Sequence, residues 1–164
     1  MVEMKVYGLA LDEDSQVPVL VLKDMSESMV LPIWIGAMEA MAISLALNEV
    51  KLPRPMTHDL LLSAIKALDG QVLGVEVTNL DDGTYFAEIK VDQQGAFKRI
   101  DCRPSDGIAL ALRAEAPIAV SEEVLERAAQ NNPIEPKGVI QSEDADRWTE
   151  LLDQLDEDDT KYKM

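Results

Sequence analysis

Two alternating runs, QVLGVEVTNL (71–80) and GTYFAEIKVD (83–92), are joined through Asp81-Asp82-Gly83. Asp-Gly tolerates the positive φ angles of a two-residue turn whose twist matches that of paired strands, so the centre of the chain is committed to a β-hairpin. On either side lie apolar segments with helical spacing. THDLLLSAIKALDG (57–70) repeats Leu61, Ala64, Ile65 and Leu68 between an N-capping Thr57 and a terminating Gly70. A hairpin bracketed by helices can bury its apolar face only in a layered fold. The pattern therefore predicts an α/β (α+β) domain with a mixed β-sheet and packed helices.

The remaining segments fill in that architecture. VEMKVYGLAL (2–11), SQVPVLVLKD (15–24) and MVLPIWIG (29–36) read as strands, with Pro32 marking the third as an edge or a bulge. AMEAMAISLALNE (37–49) reads as a helix that is apolar almost all round, so it should be central or covered by another subunit. FKRIDC (97–102) is a strand, SDGIALALRAE (105–115) a helix, PIAV (117–120) a short strand, and SEEVLERAAQ (121–130) a helix capped by Ser121. IWIGAMEAMAISLAL and IDCRPSDGIALALR can be laid together so that Glu39 meets Asp106, each acid opening a helix after a strand. This suggests an internal duplication of a strand–helix unit. The expected organisation is a domain over 1–132, a Pro/Gly-bearing linker over 133–141, an amphipathic helix over 142–156 with Trp148, Leu151, Leu152 and Leu155 on one face, and an acidic disordered tail over 157–164.

Charge restricts the function. The 164 residues carry a formal charge of −16. Residues 141–164 hold nine acids against Arg147, Lys161 and Lys163, so the acidity is concentrated there but not confined to it. Nucleic-acid affinity comes largely from Lys and Arg releasing counterions, so any such substrate needs a local cationic site. The single cysteine, Cys102, makes no internal disulfide, and its place in a strand suits a small buried apolar group. No apolar run approaches the roughly 18 residues of a membrane span, and MVEMKVYGLA does not read as a secretory signal. The expectation is a cytoplasmic protein without membrane contact. There is no phosphate-cradling glycine loop, HExxH or CxxC pair, and Ser105 is not framed as a nucleophile elbow.

Two stretches carry most of the remaining chemistry: RPMTHDLL (54–61) and RPSDGIAL (103–110). In each, Arg-Pro precedes a hydroxyl residue, an acid and an apolar run. Thr57 and Ser105 are candidate helix caps, which alone would explain them. His58, the only histidine, stands in the first turn, where the positive helix end favours its neutral, proton-accepting form; Asp59 follows it. Asp106 and Arg113 share a helix face but lie roughly 10 Å apart along the axis, so each needs another partner. Glu39 in its apolar helix needs an arginine, and Arg54 or Arg103 can supply one. Asp101 and Arg103 alternate with Cys102, facing away from it. The expected result is a polar cluster of Glu39, Arg54, His58, Asp59, Asp101, Arg103 and Asp106 at the ends of three elements.

The segments LPIWIGAMEAMAI, RPMTHDLLLSAI and IDCRPSDGIALALR followed by APIAVSEEVLERA resemble the bifunctional nuclease domain family, in order, from about residue 2 to residue 130. The resemblance implies a compact α/β domain associating as a homo-oligomer, a dimer, with nuclease activity on both DNA and RNA. Two readings of the cluster follow. In the first, Glu39, Asp101 and Asp106 hold Mg²⁺ or Mn²⁺. His58, Asp59, Asp106 and Arg103 then carry the chemistry, and Arg54 and Arg113 bind the nucleic-acid substrate. In the second, the same groups form a charge-paired network in a non-catalytic acidic regulatory or scaffold module that binds a protein partner. A basic channel formed across the dimer by Arg54, Arg99, Arg103 and Arg113 would favour the first; burial of those arginines in ion pairs, with no phosphate-sized opening, would favour the second.

Overall fold

The computed structural model describes residues 1–131 and 140–141. The helix expected over 142–156, the tail over 157–164 and most of the linker over 133–141 lie outside the described residues. In chain order the elements are β1 (Val2–Leu11), β2 (Pro18–Asp24), β3 (Val30–Trp34), α1 (Ala37–Leu47), α2 (Thr57–Ala67), β4 (Gly70–Asp81), β5 (Thr84–Gln93), β6 (Ala96–Cys102), α3 (Pro104–Ala114), β7 (Ile118–Val120), α4 (Glu122–Asn131) and β8 (Ile140–Gln141). The strands form one mixed sheet in the order β3-β2-β1-β7-β4-β5-β6, with β8 pairing onto β1. The class is the α+β arrangement that the sequence pattern predicts.

The turns follow from local chemistry. Asp81 pairs with Thr84, leaving Asp82 and Gly83 as a two-residue loop with φ of 45° and 76°. Gln94 and Gly95 make a second such loop between β5 and β6, with φ of 52° and 85°. β2 starts at Pro18 rather than at Ser15 because Asp12 gathers the preceding turn, accepting the Asp14 and Ser15 amides at 3.0 Å each. Pro32 sits where a missing amide donor is tolerated, on the edge strand β3.

β1 runs antiparallel to β7 while β4 runs parallel to it, so β1 and β4 oppose each other in direction across β7. The succession of three antiparallel strands and a helix occurs on each side: β1-β2-β3-α1 and β4-β5-β6-α3. Helices α1 and α3 pack together, and α2 packs on α3 and β4. Leu9, Leu20, Leu22 and Leu31 from one strand trio meet Val75, Val77 and Ala87 from the other, beneath Ile43 of α1 and Ile108 and Leu110 of α3. Burial of this set is the main driving term for folding. The sheet curls strongly enough that the Tyr85 hydroxyl of β5 donates to the Pro32 carbonyl of β3 at 3.4 Å. That curl brings the N-terminal ends of α1, α2 and α3 to one place.

Candidate active site

Each of the three helices carries its acid at the same register position. With Gly36, Met56 and Arg103 at the N-caps, Glu39, Asp59 and Asp106 all fall at the third helical residue, where a carboxylate faces the unpaired amides of the first turn. Asp59 uses that position to accept the Met56 amide at 2.9 Å. The expected caps are corrected by this register. Thr57 and Ser105 lie inside their helices, because the extended backbone continues through Met56 and Arg103 (ψ 180° and 144°), and neither α2 nor α3 has a side-chain cap bond at its N-cap. Pro104 is suited to the first turn of α3, where no amide partner is needed. Two glycines allow close approach here, Gly36 to the Glu39 carboxylate and Gly107 to β4 and Cys102. A Cβ at Gly36 would lie 2.1 Å from Glu39 Oε2, and one at Gly107 would lie 2.8 Å from Val75 Cγ1 and 3.0 Å from Cys102 Sγ.

Arg103 ties the acids together. Its Nη1 lies 2.9 Å from Glu39 Oε1, its Nε donates to Asp106 Oδ2 at 2.7 Å and its Nη2 to Asp106 Oδ1 at 3.1 Å. The same Asp106 Oδ1 lies 3.1 Å from His58 Nε2. Burial pushes the Asp106 carboxyl up, but the bonds from Arg103 and His58 outweigh it and hold it below its ordinary value. An ionised aspartate only accepts, so Nε2 carries the proton of this pair. Asp106 in turn holds the Arg103 guanidinium above its usual value.

The two cluster arginines differ in exposure, and this decides what each can do. The Arg103 side chain is 65% exposed, so its ion pairs are of the surface kind, each contributing about 0–1 kcal/mol. It can turn away from these carboxylates at little cost. Arg113 is 11% exposed; its Nε donates to Asp59 Oδ1 at 2.7 Å and its Nη1 to the Ala42 and Ala109 carbonyls at 3.1 and 2.8 Å. It binds α1, α2 and α3 to one another, and stripping it from those partners would leave buried groups unsatisfied. It also lines the cavity beside His58 and Asp106, so the arginine expected to touch substrate is held there by bonds to three helices. The Met56 amide, opposed by burial and aided by Arg113, holds the Asp59 carboxyl below its ordinary value.

Two expected members stand apart. Arg54 is exposed in the segment before α2 and makes no ion pair among the described residues. Asp101 pairs in register with Glu88, whereas Cys102 pairs with buried Ala87. Alternation thus puts Asp101 on the outer face of the sheet, away from α3. Arg99 is also on that outer face, bonded to Glu88 at 2.9 Å, so within one chain it does not join Arg103. The expected ligand set of Glu39, Asp101 and Asp106 is consequently not assembled. Among the described residues no three His, Cys, Asp or Glu side chains are grouped to hold a metal ion, and Glu39 and Asp106 both address Arg103. These residues do not fit Mg²⁺ or Mn²⁺ as they stand. Cys102 is half-buried, and burial, reinforced by Asp106 and Asp101, pushes its thiol up to about 11, leaving it inert as a nucleophile.

Two cavities meet at Arg103 and Glu39. One, of about 200 Å³, is lined also by Met38, Met56, His58, Asp106 and Arg113. The other, of about 390 Å³, opens toward β3 and the β4–β5 turn and includes Trp34 and Tyr85. Sequence reasoning missed the second cavity. Trp34 and Tyr85 lie on different strands, 51 positions apart, and only the curl of the sheet brings them together.

Sequence comparisons tie the chain to known proteins. The model of the bifunctional nuclease domain matches residues 20–133. An uncharacterised protein of Mycobacterium tuberculosis is 35% identical over 165 residues, covering 98% of this chain and 99% of that protein. Bifunctional nuclease 1 and bifunctional nuclease 2 of Arabidopsis thaliana are 29% and 30% identical, covering 64% and 57% of this chain and 34% and 30% of those longer proteins. The matched span runs from β2 through α4 and takes in every residue of the Glu39, His58, Arg103 and Asp106 cluster, so the chain belongs to the bifunctional nuclease domain family.

Proposed function

We propose that the chain hydrolyses phosphodiester bonds of DNA and RNA at the cavity where α1, α2 and α3 begin. The observation that carries this is the His58–Asp106 pair, 3.1 Å apart, beside an exposed Arg103. The names of the plant relatives support the reaction class. With Nε2–H donating to Asp106, the ring's other nitrogen, Nδ1, is the acceptor. Water gives its proton to Nδ1 as its oxygen attacks phosphorus, and the P–O bond to the leaving sugar oxygen breaks, that oxygen taking a proton from solvent. Asp106 fixes the imidazole and stabilises its protonated form. Arg103 swings from the carboxylates to the non-bridging phosphate oxygens and offsets their charge. Glu39 then serves as the resting partner of Arg103. No step is assigned to a metal, because Mg²⁺ or Mn²⁺ would first have to displace Arg103 from Glu39 and Asp106.

The test is cleavage of single- and double-stranded DNA and RNA by the purified full chain, with and without a chelator. His58→Ala should lower kcat by about 10²–10⁴, the usual worth of a general base. Asp106→Asn should lower it less, and Arg103→Met should raise KM. Turnover that survives both His58→Ala and Asp106→Ala overturns the assignment. Cleavage that vanishes in chelator would show that the carboxylates leave Arg103 for a cation. We also infer a homodimer, supported by the apolar residues that α2 leaves exposed, Leu60, Leu61 and the adjoining Leu68. Light scattering on the same samples reads it, and a monomer mass would exclude it.

A further inference from the structure

We infer that the 390 Å³ cavity beside the catalytic cluster is a nucleobase subsite, in which an unpaired base stacks against Trp34 while its phosphate lies on Arg103; this rests on the nuclease reading above. Four observations converge on it. The cavity falls within the size range of small-ligand sites and combines apolar walls, from Val17, Ile33 and Tyr85, with the polar Arg103 and Glu39. Trp34 is 39% exposed, and its Nε1–H donates to Asp12 Oδ2 at 3.0 Å. The polar edge of the indole is thereby satisfied and the ring is oriented before any ligand arrives, which lowers the entropy lost on stacking. Arg103 and Glu39 line both cavities, so a phosphate on Arg103 has the base chamber on one side and His58 with Asp106 on the other. Finally, a chain with 31 acidic and 15 basic residues has little general attraction for a polyanion. Stacking on an aromatic face is an affinity source that this charge does not oppose, and every base has a π face to offer. A base inside a duplex is covered on both faces by its neighbours, so the subsite selects unpaired bases.

The experiment uses the full chain carrying Trp148→Phe, which leaves Trp34 as the sole indole reporter. The probe is a phosphorothioate-linked single-stranded octanucleotide, compared with an abasic strand of equal length and charge. The base-bearing strand should quench Trp34 fluorescence and bind about tenfold or more tightly than the abasic strand. In the parent chain, with binding read by anisotropy of a labelled strand, Trp34→Leu should remove that preference without changing abasic affinity, and Trp34→Phe should keep most of it. Should Trp34→Leu fail to fold, the comparison of the two strands and the Trp34→Phe variant carry the test. Quenching with the expected preference but no cleavage by the wild type leaves the subsite standing and removes the hydrolytic reading. Cleavage with equal affinity for the two strands, or an unchanged preference in Trp34→Leu, overturns the subsite and leaves hydrolysis intact.

Discussion

At the residue scale, the RPSDG motif divides into separate physical tasks. Arg103 clamps two carboxylates, Pro104 suits a helix start, Asp106 holds His58, and Gly107 lets the first turn of α3 lie against β4. The glycine has no unusual backbone angle, so its requirement is steric. Replacing it with alanine would ordinarily gain about 0.8–1.0 kcal/mol of helix propensity. Here the new Cβ would stand 2.8 Å from Cγ1 of Val75, a β-branched side chain with little rotamer freedom on a buried strand. Overpacking of that kind costs about 1–3 kcal/mol, so the steric term wins. Gly107→Ala should lower the urea midpoint with an unchanged m-value, and adding Val75→Ala should recover part of the loss. An increased midpoint in the single variant would show that α3 can lift from the sheet without penalty.

At the element scale, the β2–β3 connection illustrates a charge used to hold a turn. Asp24, 5% exposed, accepts the Met29 amide at 2.6 Å, the Ser28 hydroxyl at 3.2 Å, and both the amide and the hydroxyl of Ser26. The Ser26 hydroxyl and then the Met29 amide lower its carboxyl to about 2, against burial acting the other way. An unfolded aspartate titrates near 3.9. The folded value lies below the unfolded one, so the turn's contribution is full above pH about 4 and is lost as pH falls through about 2. Urea unfolding between pH 5 and pH 2 should therefore show a steeper loss of stability in the wild type than in Asp24→Asn. Equal slopes would mean that the serine and backbone bonds survive protonation.

The same scale separates what could be read from the chain from what could not. Strand and helix identities follow local period and turn chemistry, so the hairpin at Asp82-Gly83, the edge position of Pro32 and the Ser121 cap, which accepts the Val124 amide at 3.1 Å, were all legible. Convergence of Glu39, His58 and Asp106 was also legible, because isolated charges in apolar helix starts demand partners. The partition of the arginines was not: Arg103 and Arg113 look alike in sequence, and only their depth makes one a movable clamp and the other a tie. The side of Asp101, opposite Cys102, follows from alternation; it was misplaced in the cluster because β6 ends at Cys102 and Arg103 leaves the strand as the N-cap of α3. The Trp34 and Tyr85 chamber depends on curvature of the whole sheet, to which no short window is sensitive.

For the whole molecule, the charge balance predicts an unusual salt response. Each phosphate neutralised on a single strand contributes about −0.7 to the slope of log K against log salt. A basic groove that tracked several phosphates would give a slope steeper than about −3. Here the contact assigned to a phosphate is Arg103 alone. Two other cationic side chains on the sheet are already engaged, Lys90 with Glu76 at 2.8 Å and Arg99 with Glu88. The formal charge of −16 adds a long-range repulsion that weakens as salt screens it, which tilts the slope the other way. Binding of a single-stranded octanucleotide, measured from about 20 to 300 mM salt, should thus show a slope between zero and about −1. Neutralising acids far from the cluster should strengthen binding at low salt and steepen the slope, while Trp34→Leu should weaken binding at every salt concentration and leave the slope unchanged. A steep wild-type slope would instead place several cations along the strand and shift the main source of affinity from the base to the backbone.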